Sequence, residues 1–559
     1  MRAAVETVVV DFLGSAPAGT GAVESYRIDL CFSARTVLTG RYFRAVWEAP
    51  PCRELWVQVP TLQFLRYRFF VEAGAFLGFA RERYLVDPCG RREEISLYSL
   101  TLTFLRMISE IVAFPFVLLL IYLPLLALTV ARRRSTRPSA PGGKSVGYLF
   151  LPFCSQEGRI SGGAAAHMRG VVSGLISLGW NVHVLSSQRG EEFPSGVKYV
   201  EAVVPWQWGE HIPNLPVVLY NARVFLAGMR IFRKQAPDLV YQRHLLFNIS
   251  GLLLARALGR PLILEYNCSE VWMVEHWGKR WTFLMHLARW MEHLAIHSAD
   301  LIVVVSERVR EELLTRGVPA ERISVNFNAV DAEMFRPDAD GGTIRERYGI
   351  PRKAVVAGFI GTFSPWHGVE VLAEAVRPTV ATFPDLHFLL IGDGPLLTGV
   401  KERVAREGCG KFVTFAGSVS AEQSPAYLSS CDILLSPHVQ NPDGSPFFGS
   451  PTKLFEYMAM GKAIVASEIE QLAQVLRHER TALLVPPGRS QALIDAIVRL
   501  ARDPTLRERL GRAARLEAVA HHTWKERVER IIDAAEGRSP RSITPPSASL
   551  EASRSSLPS

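Results

Sequence analysis

Paired and clustered cysteines are missing. The seven cysteines are scattered, with no C-x-x-C pair and no metal-ligand spacing, which argues against a zinc module or a disulfide scaffold. No Asp-x-Asp metal motif stands at the end of a predicted strand. Dense Lys/Arg runs with interleaved aromatics are missing too, so nucleic acid is a poor fit as a partner. Charged residues make up 21% of the chain, 63 basic against 54 acidic for a net +9. That mild excess fits a solvated basic surface, or attraction to an anionic membrane or substrate. Apolar side chains are plentiful, 48% of 559 residues, enough for about two to four domains.

Charge is entirely absent from residues 111–131, "IVAFPFVLLLIYLPLLALTVA". At 1.5 Å per residue such a helix spans the roughly 30 Å hydrocarbon core of a bilayer. Pro115 and Pro124 would break a soluble helix but are tolerated in a membrane, and they also suit a re-entrant or interfacial segment. Arg132 to Arg134 follow at once, which by the positive-inside rule puts the C-terminal side in the cytosol. Cys154, Cys268, Cys409 and Cys431 are then expected as thiols in a reducing compartment. Cys31, Cys52 and Cys89 can form a disulfide only if their segment lies outside the cytosol.

The expected organisation follows the composition. Residues 1–100 carry strand-like runs ("ETVVVDFL", "ELWVQV") and an aromatic stretch with no assignable chemistry, suited to membrane or partner contact. Residues 101–134 are the membrane segment and its basic flank, and 135–144 a Pro/Gly/Ser linker. From 145 the rhythm alternates between strand and helix. "SVGYLFLPF", "WNVHVLSS", "PDLVYQRH", "RPLILEYN" and "ADLIVVVS" read as parallel strands of a domain over 145–335. "AVVAGFIGTF", "LHFLLIGDGP", "FVTFAGSV", "CDILLSPH" and "KAIVAS" read as those of a second, over 336–510. Residues 511–537 are helical, and 538–559, rich in Ser and Pro, are expected to be disordered. Two such series predict an α/β chain with two Rossmann-like, doubly wound domains facing a cleft.

Ligands of open α/β sheets bind beyond the carboxyl ends of the strands. There the sequence places Gly162, Gly163, Arg243, His244, Glu265 and Asn267 in the first domain. In the second it places Gly361, Thr362, His367, Gly394, Pro395, His438 and the loop 441–453. That loop ends in "GSPT", so Ser450 and Thr452 open the helix "TKLFEYMAM". A helix N-terminus attracts anions. Lys453 adds a charge suited to a diphosphate, and Glu456 three residues on can accept two hydrogen bonds from a vicinal diol. Diphosphate and ribose diol together mean a nucleotide. The alternative is a plain ion pair between Lys453 and Glu456 on a helix surface.

At this point the chain resembles glycosyltransferase family 4, the retaining enzymes of the GT-B fold, over about 145–535. "SPTKLFEYMAMGKAIVAS" resembles the family's signature segment. "SGGAAAHMRGVVSGLISLGWNVHVLS", "ADLIVVVSERVREELLTRGVPAERISVNFNAVDAEMFRP", "GFIGTFSPWHGVEVLAEAV", "LLIGDGP" and "YLSSCDILLSPH" stand in the family's order. The resemblance implies an acceptor domain, then a nucleotide-sugar donor domain, with C-terminal helices crossing back. It implies ribose binding by Glu456, the second glutamate of the E-x7-E pattern. It implies backbone approach to diphosphate or acceptor at Gly162 and Gly163, and a turn near the base at Gly394 and Pro395. His244 stands roughly where the family keeps a histidine near the transferred sugar.

The sequence also departs from the family. Phe448 stands where the first glutamate of the pattern belongs, with Asp443 as a nearby substitute. Thr362 and His367 stand where the family often has cations on the diphosphate. The expected catalytic groups are therefore Lys453, His367 if protonated, and His244. The expected function is transfer of a sugar from a nucleoside-diphosphate sugar to a lipid-linked or cell-envelope glycan acceptor. It would run with retention, without cofactor or catalytic metal, at the inner membrane with the catalytic domains in the cytosol. A degenerate transferase acting as an assembly scaffold, and a nucleotide-sugar 2-epimerase, are the rival readings.

Overall fold

The computed structural model describes residues 5–12, 25–30, 36–37, 40–60, 62, 65, 67–130, 144–152, 163–187, 193–206, 208–234, 236–277, 283–441, 443–445 and 447–538. Cys31, Arg132 to Arg134, the linker up to 143, Cys154, Gly162 and the tail from 539 lie outside the described residues.

Strands of the described residues form three sheets. The first holds β1 (Val5–Asp11), β2 (Ser25–Asp29), β3 (Cys52–Gln58), β4 (Ala80–Val86) and β5 (Arg92–Glu94) in the order β2-β1-β3-β4-β5. Only β5 runs antiparallel, so the strand-like runs of residues 1–100 belong to a small α/β unit with its own apolar core. The aromatic stretch of this region supplies α1 (Arg68–Ala75). Its Arg68 is spent on ion pairs to Glu72 at 2.7 Å and Glu93 at 2.5 Å. Cys52 and Cys89 are free thiols.

The second sheet is wholly parallel: β6 (Ser145–Phe150), β7 (Asn181–Ser186), β8 (Tyr199–Ala202), β9 (Leu239–Arg243), β10 (Leu262–Tyr266), β11 (Leu301–Val304) and β12 (Ile323–Val325). Its order is β12-β11-β10-β9-β6-β7-β8. The third sheet, also parallel, holds β13 (Val355–Ile360), β14 (Leu386–Ile391), β15 (Val413–Gly417), β16 (Ile433–Ser436), β17 (Ala463–Ser467) and β18 (Leu483–Val485) in the order β15-β14-β13-β16-β17-β18. Central strands such as "ILLS" and "AIVAS" are buried along their whole length, because helices cover both sheet faces. Chain order reverses between β6 and β9 and between β13 and β16, the switch points where a crevice opens. This is the GT-B architecture of two doubly wound domains.

Six more helices matter below: α2 (Leu97–Val130), α3 (Gly163–Ser177), α4 (Met285–Ser298), α5 (Thr452–Ala459), α6 (Pro504–His521) and α7 (Trp524–Ala535). Helix α7 crosses back onto α3 of the middle domain, and α6 stays against α5 and β17. Two glycines of α3 permit the crossing. A Cβ at Gly170 would overlap the Trp524 ring, and one at Gly174 would lie 2.6 Å from Val528. Backbone hydrogen bonds from Val330 to His522 (2.9 Å) and from Trp524 to Val330 (3.3 Å) seal the same junction.

Helix α2 differs from the expected membrane span in two ways. It starts at Leu97, well before residue 111, and runs 34 residues with Pro115 and Pro124 inside it. It is long and apolar enough to cross a membrane by length and composition. Yet one face packs on the middle domain. Phe114, Leu118, Ile121, Tyr122 and Leu125 recur at helical spacing against that domain's core.

Candidate active site

The carboxyl ends of β13, β14 and β16 form one wall of the crevice, and glycines let their loops touch backbone to backbone. Gly361, Gly392 and Gly394 have φ of 152°, 128° and 153°, conformations that favour glycine. A Cβ on Gly392 would overlap the Gly361 carbonyl oxygen, and one on Gly394 would sit 2.6 Å from the Phe363 nitrogen. Hydrogen bonds from Gly361 N to Ile391 O (3.0 Å) and from Phe363 N to Asp393 O (2.8 Å) fix the pair of loops. Thr362 and Pro395 are exposed at the rim.

Helix α5 points its first turn at this wall. Lys453 is buried, its Nζ 4.3 Å from the centre of the Phe359 ring, and no hydrogen-bond partner reaches it. A Cβ on Gly361 would overlap Nζ, so the ammonium lies directly against that glycine. Burial lowers the Lys453 ammonium to about 7, Glu456 opposing the shift. Burial raises the half-buried Glu456 carboxyl to about 7, opposed by Lys453 and by Arg169 of α3. Lys453 and Glu456 share a helix but do not form the ion pair that their spacing allows. Each faces the crevice with its charge weakly compensated.

His367 and His438 complete this wall, their ring centres 5.1 Å apart. His367 Nδ1 is bonded to the Thr362 carbonyl, so its other nitrogen faces away from that loop. Burial, then the Lys453 charge, push the His367 imidazole down to about 3, so it is neutral at physiological pH. The condition attached to His367, that it assist if protonated, is disfavoured here, because a second cation beside Lys453 in a desolvated pocket is costly. His438 is fully buried and driven well below its ordinary value by burial, Lys453 and His367. Its Nε2 has no partner, while Nδ1 sits 3.1 Å from the Ser436 hydroxyl.

The opposite wall is the start of α3. A Cβ on Gly163 would lie 3.4 Å from the Thr452 hydroxyl, so the two domains meet at these residues. Gly162 lies outside the described residues. A polar chain ties the walls together. The Ser450 hydroxyl accepts from the Asn328 backbone at 2.9 Å, and the Ser450 carbonyl accepts from the Asn328 side chain. The Asn328 oxygen meets His167 Nδ1 at 2.5 Å, and His167 Nε2 lies 3.0 Å from Glu265. Glu265 also takes Arg243 at 2.8 Å, Tyr241 at 3.1 Å and the Asn267 amide at 3.2 Å. Its carboxyl is held at about 2, the His167 and Arg243 charges outweighing burial. Ser450 is thus occupied by interdomain bonding, and Asn267 by Glu265, leaving the Asn267 carbonyl oxygen buried without a partner.

His244 sits deeper, buried, with Nε2 3.2 Å from Glu292 and Nδ1 without a partner. Glu292 in turn accepts from Ser269 and Arg316, each at 2.8 Å. Phe448 packs edge-on to Trp272 of the middle domain at 5.9 Å, and the Ser306 hydroxyl donates to its carbonyl at 2.8 Å. The side chain that replaces a carboxylate therefore bridges the domains. Asp443 is exposed and accepts from the Ser445 amide (3.0 Å) and hydroxyl (2.6 Å) of its own turn.

Arg169 is the site residue that reading the sequence overlooked. It and His167 are the only titratable side chains of α3, "GAAAHMRGVVSGLIS", and that isolation was the available signal. No cluster of metal-ligating side chains occurs among the described residues.

Residues 161–334 match the family model described as Glycosyltransferase Family 4, and residues 354–503 the one described as Glycosyl transferases group 1. The alpha-D-kanosaminyltransferase of Streptomyces kanamyceticus is 27% identical over 271 residues, 47% of this chain and 67% of that protein. The phosphatidyl-myo-inositol mannosyltransferase of Mycobacterium leprae is 33% identical over 187 residues, 33% of this chain and 47% of that protein. The chain thus spans about half to two thirds of the length of these curated relatives. Among solved structures, Anabaena HepE in complex with UDP and glucose superposes with a TM-score of 0.55 at 18% identity, covering 70% of this chain and 100% of that one. At that identity the likeness speaks for the fold.

Proposed function

The chain belongs to glycosyltransferase family 4, enzymes that use a nucleotide-sugar donor, and from this premise we propose that it glycosylates a lipid-linked or cell-envelope glycan at the inner membrane, its catalytic domains in the cytosol. The observation that carries the donor site is Lys453, a buried ammonium without a partner at the first turn of α5. A desolvated cation aimed into a glycine-lined crevice is stabilised when an anion enters. The donor diphosphate fills that role, and Glu456 takes the ribose hydroxyls while Arg169 closes from the other wall.

In the reaction the bond between the anomeric carbon and the β-phosphate oxygen breaks, the anomeric carbon bonds to an acceptor hydroxyl oxygen whose proton leaves with the released nucleoside diphosphate, and negative charge grows on the β-phosphate. Lys453 and the amides of the first turn of α5 meet this charge as it develops, which lowers the barrier because they are already in place. A neutral His367 and His438 serve as hydrogen-bond partners. Gly163, Gly361 and Gly394 let backbone approach the nucleotide. Thr452 and Thr362 flank it, with Pro395 at the rim beside the base. His244 and Asn267 face the sugar and acceptor side. The proposed transfer runs with retention of configuration, which the resemblance to the family implies and no residue named here tests.

The membrane side rests on α2, apolar for most of its length and largely exposed, and on the net charge of +9. Phe448 favours one rival, a catalytically silent scaffold, because it puts an apolar ring where a carboxylate is expected. Incubation with a panel of radiolabelled nucleotide sugars and membrane lipids separates the cases. Labelled lipid or glycan is the expected product. Nucleotide binding without transfer or donor hydrolysis would favour the scaffold.

A further inference from the structure

The outward face of α2 carries no charge. Leu97, Tyr98, Leu102, Phe104, Leu105, Ile108, and onward to Leu126 are exposed, and successive members fall on one half of the helix. The aliphatic hydroxyls on this face, Thr101 and Ser109, are satisfied inside the helix, donating to the Leu97 carbonyl at 2.8 Å and the Arg106 carbonyl at 2.7 Å. The two charges of α2 turn the other way. Glu110 is fully buried and accepts from the Gly209 and His211 amides at 2.7 and 3.0 Å, and from the His211 ring at 2.9 Å. Arg106 pairs with Glu110 and with Glu210, each at 3.2 Å.

The inward face is held along its length. Phe69 of α1 meets Phe104, which stands at the border between the two faces, at 5.3 Å. Phe114 meets Phe283 at 5.9 Å, and Tyr122 lies against His286 and, at 5.5 Å, Trp290 of α4. Leu125 is 2% exposed. A helix crossing the bilayer would carry this flank of the middle domain into the hydrocarbon, including Arg289 and Glu275, which pair beside Trp290.

From this two-sidedness we infer that α2 does not span the membrane but lies in the plane of one leaflet, its outward face in the lipid, with the N-terminal unit on the same side as the catalytic domains. The inference rests on the membrane association proposed above and fixes its topology. The stripe from Leu97 to Ala127 is 31 residues long, about 45 Å at the helical rise. That is far longer than the roughly 30 Å core and suits a helix lying flat. A lipid surface is the occupant because the face is apolar from Leu102 to Leu126 and, apart from the Tyr98 phenol near its N-terminal end, offers no unsatisfied polar group to a protein partner. The sequence also follows α2 with Arg132 to Arg134, complementary to anionic headgroups.

The test uses the full chain with an N-terminal and a C-terminal epitope tag. Membranes of expressing cells are prepared as right-side-out spheroplasts and as inverted vesicles, and each is treated with protease. Both tags should survive in spheroplasts and both be cleaved in inverted vesicles. Cleavage of the N-terminal tag alone in spheroplasts would show a spanning helix and overturn the inference while leaving membrane association standing. Recovery of the protein free of membranes would overturn membrane association itself. In a second arm, purified protein is floated with phosphatidylglycerol/phosphatidylethanolamine vesicles. Ile108→Glu and Leu119→Glu should each weaken vesicle binding about tenfold and leave nucleoside-diphosphate binding unchanged. Undiminished flotation of both variants would overturn the in-plane reading.

Discussion

Replacing Lys453 by methionine should make the protein slower at little or no loss of stability, and that combination is diagnostic. Its Nζ is buried with no hydrogen-bond partner, and Phe359 at 4.3 Å is its main compensation. Leaving a buried polar group unsatisfied costs about 1–3 kcal/mol, and a desolvated cation–π contact returns about 0.5–2 kcal/mol. Lys453→Met keeps the volume and removes both, so apparent stability should lie between about 1 kcal/mol lower and about 2.5 kcal/mol higher, with a small gain at the centre of that range. Turnover should move the opposite way. A preorganised charge that meets a developing anion is worth about 100- to 1000-fold in kcat, and His367, held neutral, offers no second cation. KM for the donor should change less, because the interaction strengthens in the transition state. Steady-state kinetics at saturating donor and thermal unfolding without nucleotide read the two effects. Near-normal turnover with a loss of stability beyond about 1 kcal/mol would refute the leaving-group role and return Lys453 to a structural part.

Glu456→Gln should mainly raise donor KM or Kd, by about 1.5–3 kcal/mol for a lost charged hydrogen bond, with kcat less affected; calorimetric titration of a nucleoside diphosphate checks it. The same pair should shape stability against pH. Glu456, raised from 4.5 to about 7, keeps a proton in the folded state that the unfolded chain has lost, so stability falls as pH rises from about 4.5 to 7. Lys453, lowered from 10.5 to about 7, does the reverse, so stability recovers from about 7 to 10.5. The melting temperature of the wild type relative to Lys453→Met/Glu456→Gln should therefore pass through a trough near pH 7, and a flat difference would count against the assignment. Nucleoside-diphosphate binding at pH 8 should take up protons, seen as a buffer-dependent enthalpy, because the phosphate restores the Lys453 charge. Gly170→Ala should destabilise by about 1–3 kcal/mol, since its Cβ would overlap the Trp524 ring, with thermal unfolding as the readout.

Much of the fold was legible because parallel strands buried on both faces read as continuous apolar runs. "SVGYLF", "ADLIVVVS" and "KAIVAS" announce themselves without an alignment. The N-terminal sheet was half legible: β1 and β3 appear as strand-like runs, but β5 is three residues long, and α1 reads as a generic aromatic stretch. For α2, the sequence shows an uncharged run from 111. It does not show that Glu110 and Arg106 are anchored by the loop 208–211 or that Tyr122 lies against α4. Such contacts join residues about a hundred or more apart and leave no local pattern.

At the site, spacing placed Lys453 and Glu456 on one face of a helix but could not say whether they pair or face the crevice separately. Their protonation, and that of His367, depends on burial by the loops after β13, β14 and β16. Arg169 reaches Glu456 only because α7 clamps α3 into place through Gly170 and Gly174.

A crystal structure of the full chain with a nucleoside diphosphate bears most directly on the donor site. It should show phosphate oxygens about 2.7–2.9 Å from Lys453 Nζ and the ribose hydroxyls on Glu456, between α5 and Gly163. A nucleotide bound elsewhere, or one that leaves Lys453 Nζ over Phe359 without a partner, would contradict the donor site described here.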